Sequence, residues 1–306
     1  MRATRVYAVF GLVCAIFGTT FLAIRMGVGA GGPPFLFAGL RFSIAGIVLS
    51  AILLASGRAS IRSLADLAPR AVVLSLPYIV VNFGATFWAE QYIASSTAAQ
   101  IDSAGPIASA LLSSLFLGKR LRLAHGLGIA AGFVGVWLIV RGSSGSTGAG
   151  GAKEILASIV MLGGAIGFAG ASILYKRLFD DSVDSFSVNA LNMLSGGIGL
   201  LVIAVLAGQR SFPMTRAALL PLLYLIVVGS LAGHSANLWL VRKAGPLFTS
   251  SWSYVSPVIA TAVGAIALGE RISTWSLAGA AATLFGVFLI ARAETRPVVE
   301  LSGRRS

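Results

Sequence analysis

SAGPIASALLSSLFLGKRL (Ser103–Leu121) and YVSPVIATAVGAIALGERI (Tyr254–Ile272) follow one pattern, 151 residues apart. Each is an apolar run with a proline near its start and a Gly-x-Arg-aliphatic close. The same shift carries GLGIAAGFVGVWLIVR (Gly126–Arg141) onto LAGAAATLFGVFLIAR (Leu277–Arg292). From Pro106/Pro257 to Arg141/Arg292, 12 of 36 positions are identical, among them Gly118/Gly269, Arg120/Arg271, Gly128/Gly279 and Gly135/Gly286. The register also pairs Leu40 with Leu191, Gly46 with Gly197 and Trp88 with Trp239. One unbroken register over several apolar runs marks an internal duplication. Between the copies lies RGSSGSTGAGGA (Arg141–Ala152), a Gly/Ser linker in composition. The expected organisation is a first repeat at 1–141, a linker at 142–152, a second repeat at 153–293 and a tail at 294–306.

The solvent of this chain follows from its composition. Of 306 residues, 57% are apolar and 11% charged, and the mean hydropathy is +0.90. A soluble domain carries roughly 25% charged residues, so too little polar surface exists to cover a water-facing globule. Ten apolar runs can be drawn: Val6–Ile24, Pro34–Leu54, Ala71–Ala89, Ser96–Leu117, Leu123–Val140, Ile155–Tyr175, Phe186–Ala207, Leu219–Leu240, Phe248–Leu268 and Trp275–Ile290. They are far longer than barrel strands, and backbone polar groups in lipid must be satisfied within the segment, so the runs read as transmembrane helices. The first run is too long for a signal-peptide core and has no small-x-small cleavage site followed by polar sequence. The expected fold is all-α, ten transmembrane helices forming two five-helix repeats around a central cavity.

The net charge of +13 does not point to nucleic acid, because the basic residues sit singly or in twos and threes between apolar runs. With the N-terminus placed inside, 16 Lys/Arg fall on inner segments and 6 on outer ones, Arg41 lying within a run. The positive-inside bias then puts both termini in the cytoplasm, and the protein in the inner (plasma) membrane. Five crossings per repeat is an odd number, so the second repeat begins on the other side and the halves are inverted. That plan recurs in secondary transporters, with the substrate bound near the midplane between repeats. Cys14 is the only cysteine, and the two histidines lie in different halves. No nucleophile triad, phosphate loop or metal cluster is legible, so neither cofactor nor metal is expected and a solute or ion gradient would supply the energy.

On these segments the chain resembles the EamA family of the drug/metabolite transporter superfamily. The resemblance rests on FGTTFLAIR (Phe17–Arg25), PPFLFAGLRF (Pro33–Phe42), GPIASALLSSLFLGKRL (Gly105–Leu121), SPVIATAVGAIALGERI (Ser256–Ile272) and the two Gly-rich final runs. Lys119 departs from the pattern where an acidic residue is usual, and Phe17 where a Trp is common. The resemblance implies a cavity lined by the first four helices of each repeat, peripheral fifth and tenth helices, and export of amino acids, related metabolites or drugs.

Polar residues inside the runs are the site candidates, since an ionisable side chain at the bilayer centre costs about 2.5–3.5 kcal/mol on insertion scales and ordinarily faces a cavity or partner. Asp102 would bind a substrate amine or a coupling proton, and Arg41, at similar depth, a substrate carboxylate; a structural ion pair is the competing reading. Glu90, Glu270 and Lys119 fall at run ends and read as interfacial anchors, with a gate or proton-acceptor role the alternative for Glu90. His234 could relay protons or bond a neighbouring helix. Asn82 and Asn192 could line the path or join helices. In SSWSYVSP (Ser250–Pro257), Trp252 and Tyr254 would form a partly apolar pocket with Ser253 and Ser256 as hydrogen-bonding groups; an interfacial aromatic belt is the alternative. Tyr78 and Trp88 are weaker candidates of the same kind. Pro106 and Pro257 occupy equivalent positions and would bend their helices as hinges; Pro77 is a third such proline. Gly128-x3-Gly132 and Gly163-x3-Gly167 would permit close helix approach, within the bundle or in a homodimer.

The function this reading favours is a secondary transporter exporting small organic solutes, amino acids or related metabolites, by alternating access. Efflux of lipophilic cations is a second transporter reading, against which Arg41 counts. A membrane-embedded enzyme or lipid-handling scaffold is the alternative of another class, for which no cluster of catalytic polar residues is visible.

Overall fold

A computed structural model describes residues 2–117, 123–143, 151–180, 182–244, 248–249, 251–270 and 272–295. The Gly/Ser linker, Lys119 and the basic tail fall largely or wholly outside these residues. The described chain is all-helical: α1 (Arg2–Gly29), α2 (Pro34–Ala55), α3 (Ile61–Ser75), a π-helical stretch (Leu76–Val81), α4 (Asn82–Ala89), α5 (Ser95–Asp102), α6 (Gly105–Leu117), α7 (Leu123–Ser143), α8 (Gly151–Leu178), α9 (Ser185–Leu206), α10 (Arg216–Tyr224), a second π stretch (Leu225–His234), α11 (Ser235–Ala244), α12 (Trp252–Leu268) and α13 (Thr274–Thr295). Seven continuous helices are long and apolar enough to cross a membrane by length and composition, and Trp252–Leu268 and Thr274–Leu289 are shorter apolar helices. Large apolar side chains such as Ile47, Leu127, Phe133, Trp137, Ile198, Phe285 and Phe288 stay more than half exposed, as lipid-facing positions must.

Local sequence sets the helix limits. Pro34 opens α2 behind an extended Pro33, a position where proline's missing N–H is not needed. The Ser60 and Ser63 hydroxyls exchange capping bonds with each other's backbone N–H at the start of α3, and the Asp184 carboxylate accepts from the Ser187 N–H at 3.0 Å to cap α9. Gly57 and Gly208 end α2 and α9 at φ 68° and 73°, a left-handed conformation that only glycine adopts cheaply. The limits of α9 lie 151 residues beyond those of α2, as does Gly208 beyond Gly57. The ends of α6 and α12 are separated by the same interval, as are the starts of α7 and α13. Both π stretches fall at corresponding places too, each disturbed by a nearby proline (Pro77 and Pro221).

Two helix pairs form the frame. α2 packs along α9, and α7 along α13. A Cβ built on Gly46 would lie 2.5 Å from the Leu194 amide nitrogen, and one on Gly197 2.3 Å from that of Ser43. In the other pair a Cβ on Gly286 would lie 2.5 Å from the Gly128 carbonyl oxygen, and one on Gly279 2.5 Å from that of Gly135. These backbones touch because the side chains are absent. Gly128 and Gly132 are thus occupied by α13 within this chain rather than offered to a second copy. In the other small-residue motif, Gly167 packs closely on Pro77 and Val81, whereas Gly163 has no neighbour within 4 Å. Of the remaining helices, α1 lies against α12 and α10, and α8 against α4, α5 and α6.

The fourth apolar run departs from a continuous span. It is split at Ser103–Ala104 into α5 and α6. Pro106 therefore stands in the first turn of α6, where it removes no helix bond, whereas Pro257 lies inside continuous α12. The two equivalent prolines do not make matching bends.

Candidate functional site

Arg41 is the largest fully buried side chain, 1% exposed. Its Nε donates to the Ser230 hydroxyl at 3.0 Å, while Nη1 has no hydrogen-bond partner. The guanidinium lies over the rings of Phe42 (4.6 Å), Phe83 (5.3 Å) and Phe87 (5.9 Å). Aromatic faces offset part of its desolvation, yet Nη1 is left without a hydrogen-bond acceptor. Among the described residues Arg41 has no ion-pair partner, Asp102 included. Both charges lie within electrostatic range of Tyr78, without a hydrogen bond to it among the described residues.

Tyr78 sits in the first π stretch, its ring 5.4 Å from that of Phe168 and 6.4 Å from that of Phe83. Together with Asn189, Asn192, Tyr175, Lys176 and Leu238 it lines a cavity of about 340 Å³ between helices of the two halves. The side-chain oxygens of Asn82 and Asn192 are buried without partners, a condition rare enough in folded proteins to mark a place where a ligand or water belongs. Asp102 ends α5 at the break in the fourth run and is partly buried. Broken and π-bulged helices free backbone groups and commonly line transport sites. His234 closes the second π stretch, buried, with Phe17 5.7 Å from its ring and the Arg41 charge acting on it.

The structure separates two aromatic candidates. Trp252 faces α1, stacked edge-on to Phe17 at 4.6 Å. Tyr254 turns the other way, packs beside Ala104, Ile107 and Val136, and donates to the Val287 carbonyl of α13 at 3.3 Å. They do not share a pocket. Ser253 is buried in the first turn of the same helix. The Trp88 ring lies 5.1 Å from that of Tyr92, tilted by 59°.

Three arrangements have no local sequence signal. Gln100, fully buried, donates to Thr261 at 3.3 Å and accepts from the Ser276 hydroxyl at 2.6 Å, tying α5 to α12 and α13. Replacing Gln100 with Leu leaves the Ser276 hydroxyl unpaired, and the purified protein is expected to lose about 1–3 kcal/mol, read as a lower unfolding temperature in detergent. Glu270, expected as an interfacial anchor, is engaged by the fold itself. Its carboxylate accepts from the N–H and hydroxyl of Ser95 (2.8 and 2.7 Å) and of Ser96 (3.1 and 2.6 Å), at the N-terminus of α5. Glu90, also expected at an interface, is 0% exposed; the Arg25 guanidinium donates to its backbone carbonyl, and both carboxylate oxygens lack partners. The contacts of Glu270 span about 175 residues of chain, beyond what run-by-run reading can join.

The model of the EamA-like transporter family matches residues 5–141 and again 155–292. The chain belongs to this family. An inner membrane transporter of Escherichia coli K12, YedA, is 30% identical over 95% of this chain and 92% of its own length. The transporter YvbV of Bacillus subtilis is 26% identical over 85% of each. A probable terminal-alkyne amino-acid exporter of Streptantibioticus cattleyicolor is 28% identical over 93% of each. One solved crystal structure superposes on 99% of this EamA protein and all of its own chain, with a TM-score of 0.65 at 22% identity, which speaks to the fold. The chain is thus a membrane transporter of the drug/metabolite type, and its cargo is a small molecule.

Proposed function

We propose that this EamA protein exports small zwitterionic solutes, amino acids or close relatives, by alternating access between two inverted repeats, 1–141 and 153–293, joined by residues 142–152. The observation that carries the reading is the buried Arg41 guanidinium, whose Nη1 has no hydrogen-bond partner; of the candidate residues, Tyr78 and Asn192 line the cavity between the halves. Arg41 would take the substrate carboxylate bidentately and Asp102 the ammonium group, with Asn82, Asn192 and His234 as polar contacts around them. Trp252 and Phe17 would form part of the apolar wall.

The repeat reading is supported by matching helix limits, matching π stretches and the pairing pattern: exchanging the halves maps α2–α9 and α7–α13 onto themselves, and α1–α12 onto α8–α6. With the termini in the cytoplasm, the presence of Lys176 and Ser185 in the cavity lining supports a cavity that faces the cytoplasmic side. An arginine at the centre disfavours lipophilic cations as cargo. The name of the S. cattleyicolor relative supports the amino-acid class.

Counterflow into proteoliposomes preloaded with a panel of amino acids, organic acids and amines tests the proposal. Zwitterions are expected to exchange, and simple amines are not. Exchange confined to cationic dyes would overturn the substrate class, and no exchange of any solute in the panel would overturn the exporter reading.

A further inference from the structure

Glu90 lies at the end of the bundle opposite the cavity. Its helix end packs with Ala89, Ile93, Ala98, Ala157 and Met161, against the N-terminal half of α8. The cavity touches the C-terminal half of α8, at Ala171 to Lys176, roughly 20 Å away at 1.5 Å per helical residue. At the Glu90 end, Glu270 clasps the start of α5 with all four serine donors engaged. A buried carboxylate with no donor to either oxygen is costly as an anion and far less so as a neutral acid. The charges acting on Glu90 come from three elements: Arg25 of α1, Glu270 after α12 and Arg41 of α2. From α8, which packs on α4, the titratable groups at this end are Lys153 and Glu154.

We propose that Glu90 is a proton-binding site that governs opening of this end of the transporter. With the proton bound, Glu90 is neutral beside Glu270, and Glu270 stays on Ser95 and Ser96. When the proton leaves for bulk water, Glu90 and Glu270 both carry negative charge at this end, within electrostatic range of one another. Glu270 then leaves the α5 terminus and the clasp parts. Proton release at this end is thereby coupled to its opening. The inference rests on the alternating-access reading, but its test needs no substrate.

The test uses Thr97→Cys, a residue buried in the first turn of α5 beneath the clasp, in a Cys14→Ala background in nanodiscs. Maleimide labelling rates are measured across pH in three contexts: native Glu90, Glu90→Gln and Glu270→Gln. The thiol pKa at position 97 is measured in each context, and its ionisation is divided out of the rates. Relative to Glu90→Gln, native labelling is expected to climb with pH by up to about tenfold per unit, the limit for one linked proton. Glu270→Gln should label rapidly throughout. The same pH dependence in native and Glu90→Gln proteins would overturn the proposal. A response to sodium at constant pH, absent with choline, would overturn the proton in favour of a metal cation. If Glu90→Gln does not fold, Glu90→Asp replaces it: a shifted midpoint supports the site, an unmoved one overturns it. A positive labelling result with no counterflow of any solute would leave the clasp standing and sink the transport reading alone.

Discussion

Substituting Arg41 with Met will remove zwitterion exchange while leaving the protein folded. An unpaired partner in a buried charge pair typically loses about 2–5 kcal/mol of binding, or roughly 30- to several-thousand-fold in affinity. The effect on stability should run the other way. Arg41 makes one hydrogen bond, to Ser230, and carries an unsatisfied Nη1, so an apolar side chain of similar length replaces a poorly compensated buried charge. Such exchanges are often neutral or stabilising. The expected signature is an unfolding temperature in detergent that holds or rises, with counterflow lost. Arg41→Lys keeps the charge but not the planar fork, and should bind weakly. A folded Arg41→Met protein with native affinity for its solutes would make Arg41 a structural residue.

Gly197→Ala is expected to be the most damaging single-methyl change in the chain. Its Cβ would stand 2.3 Å from the Ser43 amide nitrogen, and backbone cannot swing aside as a side-chain tip can. Relief requires α2 and α9 to part along the length they share, so the cost should meet or exceed the 1–3 kcal/mol typical of overpacking. Gly46→Ala, 2.5 Å from the Leu194 nitrogen, should behave alike. Gly163→Ala is the control: nothing lies within 4 Å, and alanine gains up to about 1 kcal/mol of helix propensity. Gel filtration and thermal unfolding of the three variants separate the cases. An unchanged unfolding temperature in Gly197→Ala would contradict the α2–α9 crossing.

How far the sequence reached depends on the range of the interaction concerned. That Gly128 meets Gly286 and Gly135 meets Gly279 came only from the packing of α7 on α13. The apolar runs placed α2 and α9 to within a residue or two of their ends, because helix length and caps are written locally. Arg41 stood out for the same reason, as a lone charge in an apolar run. Its companions did not: among the described residues Asp102 forms no ion pair with it, and Trp252 and Tyr254 turned to opposite sides of α12.

Composition, hydropathy and motif were enough for the lipid solvent, the helical class and the family. Which polar groups meet was settled by the packing of the helices. Glu270 reaches Ser95 and Ser96 across half the chain, and Glu90 is left buried and unpartnered. The physical reason is that hydrophobic burial is non-directional and nearly additive along a chain, whereas a hydrogen bond depends on the position of two atoms that only the packed helices bring together.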